Sequence, residues 1–488
     1  MAGSAPMALE PGCEIDWAGP VALPLAGEPM VQAACGLMHV HGRRSGHPEP
    51  ITVDYASTVA KVFARQGALA ASIATARGLP LRSVRTSVAQ AALHSVAQYL
   101  AVATTDDDWR ELRGTGGPPF LTADGVRVEI ETLNAEDWCR FWSRLGASRE
   151  AIRTGWPPFQ QRFGSAVCPL PDELASCVAA RLFHSVAVAG AATGVSVVQV
   201  RECAGELTGP PFRVTPLGAP GPALPPASAG PLDGLVVVES TRRVQGPLAG
   251  HVLRLLGAEV IRVEPPGGDP ARWVPPIAGD CSARFLALNR GKSAVDLDLA
   301  TPAGRADLLE LLTRAHVFLH NWAPGKAARW NLDADRLLTV HPGLVYASAG
   351  GWGDAFGDRA PLGTDYLVQA HSGLAAALRP SGAPSLMTLT DVLGGLVCAE
   401  GVLAALLGRV RTGQGARVDS SLYSATSLIP QVRPQWTASV SVRDGRLHGT
   451  GEPIEVCTDL AELAADPRFG AALGHDGFAY PLPPWEFA

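Results

Sequence analysis

A strand, a tight turn, a helix and a second strand follow one another between residues 235 and 264, and this unit constrains the fold most. Residues 235–240 (LVVVES) form an unbroken apolar run, as expected for a strand buried on both faces. Gly246-Pro247 marks a turn and a helix start, because proline lacks only an N–H that the first helical turn leaves unpaired. Apolar residues at helical spacing follow up to Gly257, and strand 259–264 ends at Glu264. The pattern predicts a βαβ unit and therefore an α/β fold.

The first turn of this unit places backbone N–H groups and a helix N-terminus where a phosphate or a ribose is commonly bound. A complete G-x-G-x-x-G motif is not present in the segment, and most βαβ units serve only as scaffold. The turn alone therefore does not establish a nucleotide site.

Composition narrows the functional class. The 488 residues suffice for two or more domains, and a net charge of −6 with 18% charged residues does not suit non-specific binding of nucleic acid. Nine cysteines without a C-x-x-C pair are typical of reduced thiols in the cytoplasm and not of disulfides or a metal site. The start of the chain has no signal-peptide pattern, and the apolar stretch 179–200, which contains Arg181 and His184, favours a helix and a strand over a membrane span.

Several further motifs follow the βαβ unit in a fixed order. They are FLALNRGKSAVDLDLATPAGR, HNWAPGKAARWNL, GTDYLVQAHSGL and TDVLGGLVCAEGVLAALLGRVRTGQGARVDSSL. From Pro231 to about Leu428 the sequence closely resembles the class III CoA-transferase family, which includes formyl-CoA transferase, carnitine CoA-transferase and α-methylacyl-CoA racemase. The resemblance implies a Rossmann-like parallel-sheet large domain and a smaller α+β domain. It also implies an acyl-CoA and a small carboxylic acid as substrates, without a permanently bound cofactor.

Asp391 in LMTLTDVLGGL occupies the position of the family's catalytic Asp. A carboxylate there attacks an acyl-CoA to form a mixed anhydride, which the released CoA converts into an enzyme-bound thioester. Taken without the resemblance, an Asp directly before a Gly-Gly helix start is more commonly a helix N-cap. Both interpretations are open at this point.

The resemblance also indicates which residues line the CoA cleft. Arg329 suits a bidentate pair with a phosphate, or is an exposed helix charge; Trp322 stacks on adenine, or fills core. Ala300 and Pro265 stand where some relatives have Lys and Arg. The predicted cleft residues are Val244, Gln245, Gly246, Glu264, Leu297, Asn321, Trp322 and Arg329.

Two other functions remain as alternatives. The racemase branch needs a His directly before the Asp of G-x-D-Y, where this chain has Thr364, and His371 is expected to face elsewhere. A lyase or isomerase would use Asp391 or Asp365 as a base. A non-catalytic CoA-binding or scaffold protein is the second class of alternative.

The first part of the chain repeats part of the second. Residues 31–58 match residues 368–395 in one register, with Asp54 on Asp391 and AGEP in place of GTDY. Further on, GALAA (67–71) matches GVLAA (401–405), and Ser87 matches Ser421. The sequence therefore indicates an internal duplication with a degenerate first copy.

The predicted organisation is a rearranged fusion. Residues 1–213 form the degenerate segment with a glycine loop (Gly114, Gly116 and Gly117) and the small domain, 214–230 a Pro/Ala/Gly linker, and 231–488 the large domain with a closing arm. Either the glycine loop is a lid over Asp391, which makes the site composite, or it is an ordinary surface turn. A homodimer is one expected assembly, and internal mimicry of such a dimer is the other.

Overall fold

The computed structural model describes residues 13–107, 112–203, 209–379, 381–450 and 452–488. Residues 1–12, on which the signal-peptide prediction depends, lie outside these ranges. The helices and strands fall into an N-terminal segment (13–103), a small domain (120–199), a large domain (212–425) and a tail (441–487).

The N-terminal segment alternates strands and helices. Its elements are β1 (Cys13–Asp16), α1 (Glu28–Ala34), α2 (Leu37–Gly42), α3 (Tyr55–Ala76), β2 (Val84–Ser87), α4 (Val88–Ser95) and α5 (Ala97–Ala103). The small domain has a three-stranded antiparallel sheet, ordered β3-β4-β5, with four helices against it. Its elements are β3 (Phe120–Leu121), β4 (Arg127–Glu131), α6 (Ala135–Arg144), α7 (Arg149–Ser165), α8 (Asp172–Ala179), α9 (Phe183–Thr193) and β5 (Ser196–Gln199).

The large domain contains the predicted βαβ unit, now resolved as a strand, a helix and a strand in the predicted places. Its elements are β6 (Phe212–Pro220), β7 (Val236–Ser240), α10 (Gln245–Leu255), β8 (Glu259–Glu264), β9 (Ile277–Ala278), β10 (Cys281–Ser282), α11 (Ala283–Asn289), β11 (Ser293–Asp296), α12 (Pro302–Leu312), β12 (Val317–His320), α13 (Lys326–Arg329), α14 (Ala334–Val340), β13 (Val345–Gly350), α15 (Asp365–His371), α16 (Leu374–Leu378), α17 (Leu389–Thr412), β14 (Gln414–Ser421) and α18 (Leu422–Ala425). The tail comprises β15 (Ser441–Arg443), β16 (Arg446–His448), β17 (Ile454–Glu455), α19 (Leu460–Ala465), β18 (Leu473–His475), β19 (Ala479–Pro481) and β20 (Glu486–Phe487).

Seven strands form the main sheet, in the order β11-β8-β7-β12-β13-β14-β6. All neighbours are parallel except β6, which runs antiparallel to β14 at the edge. The chain reverses its strand order next to β7, and ligands of such sheets bind at the carboxyl ends of the strands near this reversal. The predicted Rossmann-like large domain and α+β small domain are confirmed.

The predicted linker is wrong for residues 214–220. These residues belong to β6, which pairs with β14 from Phe212 opposite Ser420 to Pro220 opposite Gln414. Proline and glycine in the stretch are tolerated because β6 is an edge strand, whose outer N–H groups need no partner in the sheet. The predicted boundary at 213/214 therefore lies inside a strand.

The two halves of the chain share one core. Helices α3 and α17 pack against each other, and one apolar cluster contains residues of both halves, including Val31, Phe63, Leu396 and Trp485. Between them, Gln66 Nε2 donates to the Leu396 carbonyl at 2.7 Å, and Arg65 pairs with the buried Glu400. The halves are therefore not two independently packed units.

The N-terminal segment has the same arrangement as residues 345–428, which we call the C-terminal segment. Strands β1, β2 and β20 form a sheet in the order β1-β2-β20, with β2 parallel to β1 and antiparallel to β20, as β14 is to β13 and β6. Asp16 lies opposite Ser87, as Gly350 lies opposite Ser421, and both serines cap the following helix.

The two closing arms are exchanged between these segments. The arm that follows the small domain (β6) completes the sheet of the C-terminal segment, and the arm at the end of the chain (β20) completes the sheet of the N-terminal segment. A side chain at Gly401 would meet Phe212 of one arm, and a side chain at Gly67 would meet Trp485 of the other. Each arm thus packs closely against a helix glycine of the segment it joins.

Candidate active site

Asp391 lies in the first turn of α17, and its carboxylate is not the helix cap. The N-cap residue is Thr388, which has φ 54° and makes no side-chain capping bond. Asp391 is partly buried, and within the described part of the chain no hydrogen bond or ion pair to its carboxylate is found. The geometry therefore disagrees with the N-cap interpretation of this residue.

Asp365 does the capping instead, from the start of α15. Its buried carboxylate accepts hydrogen bonds through Oδ2 from the Asp391 N–H at 2.8 Å and the Thr390 hydroxyl at 2.7 Å. Gln369 Nε2 donates to Oδ1, and Gln369 is itself held by the backbone N–H of Ser385, which donates to it at 2.8 Å. The carboxylate of one helix thus satisfies the free N–H groups at the start of another.

The two neighbouring carboxyl groups affect each other's ionisation. Burial raises the pKa of Asp391, the charge of Asp365 raises it further, and Arg243 opposes both effects. Burial also raises the pKa of Asp365, against the stabilising hydrogen bonds from Thr390, the Asp391 N–H and Gln369. Glu131, at the end of β4 in the small domain, contributes a weaker repulsion on Asp391.

The turn between β7 and α10 lies directly against the start of α17. Gln245 Nε2 donates to the Gly350 carbonyl at 3.1 Å, and a side chain at Gly395 would lie 2.6 Å from the Gln245 carbonyl oxygen. Gly394 and Gly395 therefore permit the close approach of this turn. The predicted residues Val244, Gln245 and Gly246 are in this way brought next to the helix that carries Asp391.

Asn321 and Trp322 follow β12 and join the same edge of the sheet. Asn321 bonds the backbone of Arg242 twice, with Nδ2 donating at 2.8 Å and Oδ1 accepting at 3.0 Å. Trp322 donates to the Ser240 hydroxyl at 3.0 Å and stacks on the ring of His320, with centroids 4.5 Å apart. Trp322 is half-buried, so one part of it packs in the core and the other part is exposed at this edge of the sheet.

Glu264 and Leu297 lie at the same edge, at the ends of β8 and β11. The Leu297 N–H donates to the Glu264 carbonyl at 2.9 Å. Burial raises the pKa of Glu264, but hydrogen bonds from Arg272, the Asp269 N–H and Arg262 outweigh it and lower the pKa to about 2. The Glu264 side chain is therefore engaged in an internal ionic cluster, which competes with a ligand hydroxyl for its oxygens.

Three basic residues were not singled out by the sequence interpretation. Two of them, Arg242 and Lys326, form a basic group with the predicted Arg329. Burial lowers the pKa of Lys326, and the charges of Arg242 and Arg329 lower it further. Arg243 has φ 68°, which few side chains adopt, and acts on Asp391. The signal available in the sequence was the pair Arg242-Arg243 between the end of a strand and the predicted turn.

The glycine loop packs on the small domain. Gly114, Gly116 and Gly117 all have positive φ, and side chains added to them would meet residues 168–170. Arg44 of the N-terminal segment donates to the Gly117 carbonyl at 3.2 Å. The charge of Glu131, at the end of a small-domain strand, acts on Asp391, whereas the glycine loop lies against residues 168–170 and Arg44.

The N-terminal segment also holds the loop that precedes Asp391. The Tyr99 hydroxyl donates to the Leu386 carbonyl at 3.3 Å, and the Tyr55 hydroxyl donates to the Leu389 carbonyl at 3.0 Å. Tyr366 of α15 donates to the same Leu386 carbonyl at 3.2 Å. The position of Asp391 therefore depends on side chains from both halves of the chain.

The counterpart of Asp391 in the N-terminal segment is Ser57 and not Asp54. Gln32 bonds the backbone of Ile51 as Gln369 bonds that of Ser385, and Glu28 accepts from the Ser57 N–H as Asp365 accepts from the Asp391 N–H. Asp54 is the N-cap residue of α3, as Thr388 is of α17. The predicted pairing of Asp54 with Asp391 is wrong because the insertion lies before α3, whereas the sequence match placed it between residues 58 and 67, within that helix.

A cavity of about 440 Å³ lies at this counterpart position. Ser57, Asp54 and Glu28 line it together with Trp17 and Trp436, and the indole of Trp436 donates to Asp54 Oδ1 at 2.8 Å. At the position of Asp391 this cavity has Ser57, which presents a hydroxyl and not a carboxylate, so the cavity differs in chemistry from the surroundings of Asp391.

Two further features bear on the sequence predictions. Within the described ranges, no group of His, Cys, Asp and Glu suited to a metal ion is found.

Among the described helices, α17 is long and apolar enough to cross a membrane, and the bent pair α8 and α9 is the other candidate. However, 83% of the apolar window of α17 is buried inside the protein. Such burial is typical of a core helix.

Comparison with known proteins finds relatives that match parts of this chain. Acetyl-CoA:oxalate CoA-transferase of Acetobacter aceti is 35% identical over 264 residues, 52% of this chain and 66% of that protein. Succinate–glutarate CoA-transferase of Agrobacterium fabrum is 32% identical over 261 residues, 51% of this chain and 64% of that protein. The solved structure of a CAIB/BAIF family protein from Brucella suis is 34% identical, with a TM-score of 0.38, and the match covers 41% of this chain and 55% of that one.

The chain thus spans less than two thirds of the length of each of these relatives. A family model, described as CoA-transferase family III, matches residues 16–216 and again residues 232–459. The two matches cover both segments, the small domain and part of the tail. The chain belongs to CoA-transferase family III.

Proposed function

We propose that the protein transfers coenzyme A from a thioester to a free carboxylic acid, with Asp391 as the nucleophile. The observation that carries this proposal is that two neighbouring acids, Asp365 and Asp391, differ in their hydrogen bonds. Asp365 takes the hydrogen bonds at the start of α17, and the carboxylate of Asp391 is left without one among the described residues. A partly buried carboxylate whose oxygens have no hydrogen-bond partner in the described part of the chain is available to attack a thioester.

The first half of the reaction consists of two substitutions. The Asp391 carboxylate forms a C–O bond to the thioester carbonyl carbon, the C–S bond breaks, and CoA leaves as a thiolate. The thiolate then attacks the aspartyl carbonyl carbon of the mixed anhydride, the donor acid leaves as a carboxylate, and an aspartyl-CoA thioester remains. The acceptor acid reverses both steps.

The charges around Asp391 suit the start of this sequence. Arg243 favours the ionised, nucleophilic form, whereas burial and Asp365 raise the pKa. A raised pKa also makes the carboxylate more basic and hence a stronger nucleophile once it is ionised. The glycine loop is the proposed lid that keeps water from the anhydride, since Gly114, Gly116 and Gly117 all adopt backbone conformations that glycine favours.

The carboxyl edge of the main sheet is the proposed CoA site. Val244, Gln245 and Gly246 lie next to the helix of Asp391, and Asn321 and Trp322 extend the edge from there. Arg242, Lys326 and Arg329 supply positive charge for the phosphates, and the half-buried Trp322 and the adjacent Leu297 supply apolar surface for the adenine. Glu264 is the weakest member of the proposed set because Arg262 and Arg272 already occupy its oxygens.

The relatives indicate which acids to test. Their names include oxalate, glutarate and mesaconate as partners of acetyl-CoA or succinyl-CoA. All three are small dicarboxylic acids, and we propose an acid of this class as the acceptor. A permanently bound cofactor is not part of the proposed chemistry.

The structure bears on the proposed alternatives. For racemisation, Thr364 stands where the second base is needed, and His371 packs against the rings of Trp352 and Phe356, where burial lowers its pKa to about 4. A non-catalytic CoA-binding protein would bind CoA at the same edge without forming an adduct. The matched hydrogen bonds of the two segments support the proposed internal duplication, and the cytoplasmic location and the homodimer remain predictions from the sequence.

One experiment tests the function directly. The protein is incubated with acetyl-CoA or succinyl-CoA, quenched with acid, and examined by intact mass and peptide mapping for CoA linked to the peptide that contains Asp391. We expect the adduct in the wild type, its discharge on adding oxalate or glutarate, and no adduct in Asp391→Asn. Binding of CoA without any adduct over the whole panel would identify a binding protein instead.

A further inference from the structure

Asp365 is a buried helix cap that is held by hydrogen bonds from its own helix and from α17. It is buried, it accepts from the Thr390 hydroxyl and the Asp391 N–H, and Gln369 ties it to both backbone groups of Ser385. The backbone of the candidate nucleophile is thus bonded to the carboxylate of a neighbouring helix. The distance from Asp365 Oδ2 to the nitrogen of Asp391 is 2.8 Å.

The N-terminal segment repeats this arrangement without an acid to position. Glu28 accepts from the N–H groups of Ala56 and Ser57, each at 2.8 Å, and Gln32 ties it to Ile51. Capping a helix from a neighbouring helix is therefore a structural device of both segments. In the C-terminal segment alone it places one carboxylate beside another.

We propose, on the basis of the proposed function, that Asp365 is a positioning residue for Asp391: it fixes the first turn of α17 and places a like charge beside the nucleophile. Among the described residues, Arg243, from the turn before α10, and Glu131, from β4, also act on the charge of Asp391. Burial raises the pKa of Tyr366, Tyr55 and Tyr99, which lie on three different helices, and the charge of Asp365 also raises it.

The consequence is a defined pH dependence. Asp391 attacks only in its ionised form, so the rate of adduct formation rises as the pH rises through its pKa. Burial and the charge of Asp365 raise that pKa, which moves the rise to higher pH than for an ordinary Asp. Removal of the Asp365 charge lowers the pKa of Asp391 and therefore moves the rise to lower pH.

The test is the pH profile of adduct formation with acetyl-CoA or succinyl-CoA, measured by rapid quench and intact mass. Asp365→Asn keeps an acceptor oxygen for the cap but removes the charge, and we expect its midpoint about one pH unit below that of the wild type. Thr390→Val removes the hydroxyl that stabilises ionised Asp365 and is expected to shift the midpoint in the same direction by less. Glu28→Gln is the matched control and should leave the midpoint unchanged.

The outcomes separate this inference from the proposed function. A wild-type protein that forms no adduct at any pH overturns the proposed function and the inference with it. An adduct with unshifted midpoints in Asp365→Asn and Thr390→Val overturns the inference alone, as does an equal shift in Glu28→Gln. Circular dichroism shows which variants fold, and Thr390→Val decides the question if Asp365→Asn does not.

Discussion

Ser57 in the N-terminal segment lies where Asp391 lies in the C-terminal segment. The backbone N–H of each donates at 2.8 Å to a buried carboxylate on a neighbouring helix, that of Glu28 and that of Asp365. The two residues therefore share a backbone position and differ in the functional group that they present. This pair provides a matched comparison for the proposed nucleophile.

Asp391→Asn should abolish adduct formation, with a loss of transfer rate on the order of 10⁴-fold or more. The fold should persist, because the side chain is partly exposed and the cap of α17 is Asp365. Ser57→Ala serves as the control and should keep wild-type turnover, since no acyl group is expected on that segment. Rates and melting temperatures of both variants check the prediction; a comparable loss of rate in both would contradict the assignment.

Asp54→Ala should change stability and not turnover. Asp54 accepts a hydrogen bond from the indole of Trp436 at 2.8 Å, and the loss of such a bond costs about 1 kcal/mol. Denaturant unfolding measures the first effect and steady-state transfer the second. Trp436→Phe removes the same bond from the other side and should destabilise the protein to a similar degree; a fall in turnover for Asp54→Ala would instead point to a second working site.

Local patterns predicted local structure well. The run 235–240, the Gly-Pro turn and the run 259–264 correspond to β7, α10 and β8, because each pattern depends on residues that are neighbours in sequence. The predicted position of the insertion between the two segments is wrong, and the reason is different. Gly, Pro and Ser occur in both loops that differ in length, so the sequences of residues 42–50 and 379–384 do not show where the extra residues lie. The hydrogen bonds of Gln32 and Gln369 show it.

Partners distant in sequence were not accessible to the same reasoning. The two arms contain the sequences GPPFRV (209–214) and PLPPWEF (481–487), and nothing in either sequence shows which sheet the arm joins. That choice is decided by the glycines on the receiving helices, where Gly401 admits Phe212 and Gly67 admits Trp485. Likewise, the role of Asp365 depends on a contact between α15 and α17 that no spacing within either helix reveals.

Lys326→Ala and Arg329→Ala should each raise the KM for acyl-CoA about tenfold and leave kcat nearly unchanged, because the cations are expected to bind phosphates remote from the thioester. The difference from wild type should shrink at high salt, which screens exposed charges. Arg314→Ala is the control, since this exposed arginine precedes β12 at the opposite edge of the sheet and pairs only loosely with Glu259, at 3.8 Å. A KM effect of the control equal to that of the two variants would mean that general charge, and not this cluster, attracts the substrate.

The exchanged arms make the two halves of the chain mutually dependent. If the chain is divided after residue 226, β6 stays with the first fragment and pairs with β14 of the second, whereas β20 stays with the second and pairs with β2 of the first. Trp485 alone contributes a hydrogen bond to the Phe63 carbonyl at 2.7 Å and an edge contact with the Phe63 ring. The Tyr55 and Tyr99 hydroxyls that hold the loop before Asp391 also come from the first fragment.

We therefore expect residues 1–226 and 227–488 to copurify when coexpressed, with a tag on either one, and to form the CoA adduct as a complex. Fragment 227–488 alone should aggregate or remain inactive, because the edge of β14 and the face of α17 that packs on α3 are then exposed. Trp485→Ala in the second fragment should weaken the complex, since truncation of a buried aromatic side chain costs about 3–5 kcal/mol. Pull-down and adduct formation measure these effects, and full activity of 227–488 by itself would show that the site is complete within one half.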